Sequence, residues 1–209
     1  MLHANEKMRI YCLGMSCAQA VFGARPPALH YAVRVADLLF MTAAHESGLI
    51  HRRQTVFAGK NTNRGGWSLY QVEWPSIEES LRVMNRKPEI STHVLRWLAA
   101  FHSRDLRGAV EAALRAMPDL PEDTPADDLH EVSPWVRLLG LMLEETGDPL
   151  GCLFARLHYL RAPGPVPATV IDMAAYAKRY YNTAAGKATA AKYQNAFTRL
   201  CPWPPERRT

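Results

Sequence analysis

Among the side chains able to do acid–base chemistry, Glu46 has the least ordinary setting. It closes a nearly unbroken apolar run, Ala36-Asp37-Leu38-Leu39-Phe40-Met41-Thr42-Ala43-Ala44, and Ser47-Gly48 follows at once. An apolar run stopped by glycine predicts a helix that ends just past Glu46. A carboxyl there meets the negative end of the helix dipole with hydrocarbon packed around it. Both effects disfavour ionisation and raise the pKa, as a general acid working at neutral pH requires. A solvated glutamate in a last helical turn would have the same local sequence, so its company elsewhere in the chain decides.

Other reactive types are less well placed. His45, His51, His93, His102, His130 and His158 show no HExxH-like spacing, and no metal site is expected. His45 is expected on a different side of the helix from Glu46, in a structural or groove-rim role, and His158 as a satisfied core or interface histidine. Cys152 and Cys201 lack a Cys/His catalytic context, and no GxGxxG or GxxxxGK[ST] loop offers a nucleotide site. Trp97, Leu98 and Phe101 form a helical stripe suited to a core, whereas Trp67, in a polar loop, suits stacking on a sugar.

The elements that must position these residues come from a chain of 209 residues, about half apolar and 22% charged, the size of one soluble globular domain. No run is long and apolar enough to span a bilayer, and the start is not a basic-then-apolar signal peptide. The product is expected to be made in the cytoplasm, and export, if it happens, needs another route. The four cysteines read as reduced thiols and not as a disulfide frame. A net charge of +5 suits an anionic partner, but no dense Lys/Arg stripe interleaved with aromatics points to specific nucleic-acid binding.

Proline and glycine divide the chain into helical segments. Pro26-Pro27 closes a weakly patterned N-terminal piece and opens the helix that carries Glu46. Gln54-Thr55-Val56-Phe57 and Ser68-Leu69-Tyr70-Gln71-Val72 flank a polar, glycine-rich stretch, a small hairpin or a long loop. Ser76 with Glu79 three residues on has capping-box spacing. Helices are expected at about 77–85, 91–101 and 106–117, then an acidic, proline-rich surface excursion over 118–128. Further helices are expected at 133–147, from Asp148-Pro149 to 161, at 168–181 and at 189–200. The fold expected is mainly α, with at most a small β-hairpin.

Four segments then stand in order: His45-Glu46-Ser47-Gly48, Ser68-Leu69-Tyr70-Gln71-Val72-Glu73, Ala155-Arg156-Leu157-His158-Tyr159-Leu160-Arg161 and Tyr180-Tyr181-Asn182-Thr183-Ala184-Ala185-Gly186. Their succession resembles the lysozyme-like superfamily, especially lytic transglycosylases and goose-type lysozymes. That family has a catalytic Glu-Ser at a helix end, a Gly-Leu-Met-Gln-like strand or turn, a helical Tyr and a late Tyr-Asn-Ala-Gly-like motif. The whole chain is also similar to small lysozyme-like proteins of tailed phages. Ser68, Tyr70 and Thr183-Ala184 depart from the family pattern, which bears more on groove shape than on the acid.

The resemblance implies an N-terminal extension over residues 1–27, a lysozyme-like helical domain over 28–200 and a Pro-rich basic tail over 201–209. It implies Glu46 as the acid that protonates a glycosidic oxygen, with Ser47 holding that carboxyl or the sugar. Tyr70 and Gln71 would wall the saccharide groove, and Tyr159 and Tyr181-Asn182 would approach the acid. Glu73 would be a second carboxylate or a polar clamp, although charge compensation at a helix start explains it equally. The implied activity is muralytic, on the MurNAc–GlcNAc bond of peptidoglycan, without metal or cofactor. The partners expected are glycan strands and other proteins of a phage particle, with action at the bacterial wall. The other expectation is a virion structural or adaptor protein with little or no catalysis.

Overall fold

The computed structural model describes residues 3–22, 28–50, 66, 68–100, 104–116, 139, 148–182 and 187–202. Among them the chain is mainly helical, with eight helices and no strand. These are α1 (Ala4–Phe22), α2 (Leu29–Ser47), α3 (Trp74–Arg86), α4 (Pro88–Ala100), α5 (Arg104–Ala116), α6 (Asp148–Tyr159), α7 (Val170–Tyr180) and α8 (Ala190–Leu200). None is long and apolar enough to cross a membrane. The loop with Trp67, the first arm of the anticipated hairpin, the acidic excursion 118–128, the helix expected over 133–147 (apart from Leu139) and residues 203–209 lie outside the described residues.

The run before Glu46 explains the architecture. Every residue from Val35 to Ala44 is buried, including Leu38, Leu39, Phe40 and Met41 at 1% exposure or less. A helix that is apolar on all sides must be covered on all sides. α2 is accordingly the central rod, with α1, α6, α7 and α8 packed against it. Gly14 of α1 meets Ala36 of α2, where an added Cβ would come within 3.2 Å of the Ala36 Cα. The two longest helices thus cross on small residues.

α1 shares its core with α2: Ile10, Tyr11, Leu13, Cys17, Ala18 and Val21 are buried there. Its pattern is weak in sequence because α1 touches three partners, α2, α4 and α6, and carries apolar residues on more than one face.

The helix starts show which local signals acted. Thr169 and Thr189 cap α7 and α8, their hydroxyls accepting from Asp172 N at 3.1 Å and Lys192 N at 3.2 Å. Ser76 does not cap α3. That helix begins two residues earlier, after Glu73, with proline in its first turn. The Ser76 hydroxyl instead meets His158 Nδ1 at 3.2 Å.

Candidate active site

α2 ends as its sequence requires. Gly48 takes a left-handed φ of 62° and its N–H returns to Ala44 O at 3.2 Å. Leu49 is left-handed too, at φ 62°. The Ser47 hydroxyl supports this turn by donating to Ala43 O at 2.9 Å and accepting from Leu49 N at 3.2 Å. Ser47 therefore holds the backbone beneath Glu46, and it lines the same cleft.

The half-buried Glu46 carboxyl accepts from the Tyr193 hydroxyl of α8, which donates to Oε1 at 2.5 Å. Burial raises the Glu46 pKa. The Tyr193 hydrogen bond and the Asn182 side-chain amide favour the charged form and offset part of the rise, and the negative charge of Glu73 adds to it. The balance is a carboxyl held above its ordinary range. Tyr193 is itself pushed far upward by burial and by the charge of Glu46, so it stays a neutral donor.

His45 stacks on the Tyr193 ring, with centroids 3.9 Å apart, and lines the same cleft as Glu46. It therefore does not face a side of the helix separate from Glu46. Burial, then the charges of Lys192 and Lys178, lower its pKa.

Contacts among tyrosines and His158 join the remaining motifs. Tyr181 donates to Tyr70 O at 2.7 Å, clamping the end of α7 to the Ser68–Gln71 turn. Tyr159 stacks on Tyr181 with centroids 5.3 Å apart, and its hydroxyl meets Thr42 Oγ1 at 2.8 Å. Thr42 already donates to Leu38 O, so Tyr159 is the donor in that pair. His158 Nε2 lies 2.7 Å from Tyr180 O and must carry the proton, which leaves Nδ1 to accept from Ser76. His158 is the satisfied histidine expected, tying α3, α6 and α7 together.

The second motif is a turn and not a strand. Ser68 and Gln71 have φ of 64° and 49°, and Gln71 N donates to Ser68 O at 3.2 Å. Positive φ is costly for residues other than glycine and persists where the surroundings impose it. The Tyr70 ring is fully buried, and Gln71 is 6% exposed with Nε2 returned to Ser68 O at 2.8 Å. Tyr70 thus enters the site through its carbonyl, and neither side chain presents a groove wall of the expected kind. Glu73 is exposed and within electrostatic reach of both Glu46 and Tyr181.

A cleft of about 790 Å³ opens over Glu46. Its described walls are the end of α2 with Ile50, the face of α8 carrying Lys192, Asn195, Ala196 and Arg199, and Lys7 of α1. Tyr70 and Gln71, expected as walls, do not line it, whereas Asn182 reaches the Glu46 carboxyl as expected. Sequence reasoning missed Tyr193 and the cleft face of α8. A signal was there: Tyr193, Ala196, Phe197 and Leu200 follow the i, i+3, i+4, i+7 spacing of a buried stripe, and a phenol on such a stripe needs a polar partner.

Chemically, the arrangement is a raised-pKa carboxyl open to a cleft on one side and held by a neutral phenol on the other. Comparison of the chain with protein-family models, with curated proteins and with solved structures finds no match.

Proposed function

We propose that this chain is a peptidoglycan-cleaving enzyme that acts on the MurNAc–GlcNAc bond, with Glu46 as the acid that protonates the leaving glycosidic oxygen. One observation carries the reading. The carboxyl at the end of the central helix is buried enough to raise its pKa, yet it faces a cleft of about 790 Å³ large enough for a saccharide. The order of motifs along the chain supports the same class. The lysozyme-like fold, the phage origin and incorporation in a virion for wall penetration belong to this proposal.

In the proposed reaction Glu46 gives its proton to the glycosidic oxygen as the C1–O bond breaks, leaving an oxocarbenium-like centre. Tyr193 and the Asn182 amide then steady the carboxylate that remains. In a transglycosylase that carboxylate takes the proton of the muramyl 6-hydroxyl as the oxygen closes on C1. In a hydrolase a water is deprotonated instead, and the exposed Glu73, whose charge reaches Glu46, is the second carboxylate.

The test is a zymogram on purified peptidoglycan with the wild type and Glu46→Gln. Clearing by the wild type alone is expected, and equal clearing by both sinks the assignment. Mass spectrometry of the products separates 1,6-anhydro-muramyl ends from reducing ends.

A further inference from the structure

The cleft over Glu46 has an uneven charge. Lys7 comes to it from α1, and Lys192 and Arg199 from α8, while Glu46 is the sole carboxyl among its described lining residues. Lys192 and Arg199 lie seven positions apart, two turns of one helix, and so share a face. The Lys192 ammonium donates to Lys187 O at 3.2 Å, a neutral acceptor that leaves its charge uncompensated. Neither Lys7 nor Arg199 meets a carboxylate among the described residues. The cationic field is felt within the site, since Lys192 disfavours the charged form of His45.

A neutral saccharide has no use for three cations. Glycan strands bear carboxylates in two places: the lactyl group of an unsubstituted muramyl residue, and the peptide stem where one is attached. We infer that Lys7, Lys192 and Arg199 bind a carboxylate carried on the saccharide, so that the cleft selects muramyl strands over uncharged chito-oligosaccharides. This deepens the reading of the cleft as a glycan site and rests on it. The three side chains act at the rim, with Glu46 left to the chemistry. A rim charge attracts and orients an anion by an interaction that salt screens.

The inference is tested by calorimetric titration of the Glu46→Gln protein, which holds ligand without turnover. Three tetrasaccharides are compared: chitotetraose, a muramyl tetrasaccharide with free lactyl carboxylates, and the same strand with peptide stems. The expected result is about tenfold tighter binding of a carboxylate-bearing strand than of chitotetraose at about 50 mM salt, shrinking towards parity at about 500 mM. An advantage confined to the denuded strand assigns the lactyl group, and one confined to the peptide-bearing strand assigns the stem. Adding Lys192→Gln and Arg199→Gln, both at exposed positions, brings the carboxylate-bearing strands down to the affinity that the same variant has for chitotetraose.

Equal binding of all three ligands, or of none, overturns the inference. So does an advantage that survives the double substitution, or an oligothymidylate that binds as tightly as the muramyl strand. Catalysis is read separately: charge-dependent binding by a wild type that clears no peptidoglycan defeats the proposed activity and keeps this site. Clearing with charge-independent binding does the reverse.

Discussion

The Tyr193 hydroxyl and the Glu46 carboxyl, 147 residues apart in sequence, are joined by a 2.5 Å hydrogen bond that fastens α8 to the end of α2. The bond favours the ionised carboxylate, while burial of Glu46 opposes ionisation more strongly. Tyr193→Phe removes the donor and keeps the ring that stacks on His45. The Glu46 pKa should therefore rise further, visible as an upward shift of its titration in carboxyl-labelled NMR. A hydrogen bond to a charged group is worth about 1.5–3 kcal/mol, so stability at neutral pH should fall by up to that amount. An unmoved Glu46 titration would show that the bond does not tune the acid.

Glu46→Gln separates chemistry from stability. On the proposed mechanism it lowers cleavage by about 10²–10⁴-fold, the usual contribution of a general acid. Its effect on folding has the opposite sign. The folded pKa lies above the unfolded one, so the contribution of Glu46 is fully present below the unfolded pKa and is lost as pH rises through the folded pKa. The variant has no such loss, and its urea midpoint relative to wild type should climb over that interval. A difference that stays flat with pH contradicts the raised pKa.

His158 should produce the mirror-image dependence. Burial holds its pKa below the ordinary value, even though the Tyr180 carbonyl favours the proton. Its stabilising contribution is present above the unfolded pKa and is lost as pH falls through the folded pKa. His158→Gln should cost about 1–3 kcal/mol at neutral pH by breaking the links to Ser76 and Tyr180, and should flatten the acid side of the stability curve. Guanidinium unfolding across a pH series reads both effects.

Gly151 tests the packing of α6 against the second motif. A Cβ there would collide with Ser68 Oγ and lie 2.5 Å from Ser68 Cβ, closer than real contacts allow. Gly151→Ala should force the Ser68–Gln71 turn away from α6 and cost about 1–3 kcal/mol or more. Because Tyr181 is hydrogen-bonded to Tyr70 O, the displacement should also speed amide exchange at Gln71, whose N–H is held by Ser68 O. Wild-type thermal stability in this variant would mean that the turn moves freely.

Much of the helical frame was legible in the chain because its signals are local. The end of α2 at Gly48, the start of α6 at Asp148-Pro149 and the proline at the start of α3 depend on a few neighbouring residues each. The raised pKa of Glu46 was legible for the same reason: an apolar run and a helix end are one-dimensional facts. The same local reasoning failed at Ser76, whose hydroxyl meets His158, distant in sequence. It failed also at α1, where a face divided among three partners leaves no single stripe to read.

The sequence by itself determined a mainly helical chain built on one apolar helix, with a carboxyl at its end that resists ionisation. Only the tertiary structure decided what surrounds that carboxyl. It chose Tyr193 over Tyr181 as the phenol that holds Glu46, turned Tyr70 and Gln71 inward, and opened the cleft on the cationic face of α8. The reason is geometric. Helix formation and capping are settled within a turn or two of chain, whereas which side chain meets a given carboxyl depends on how distant helices cross.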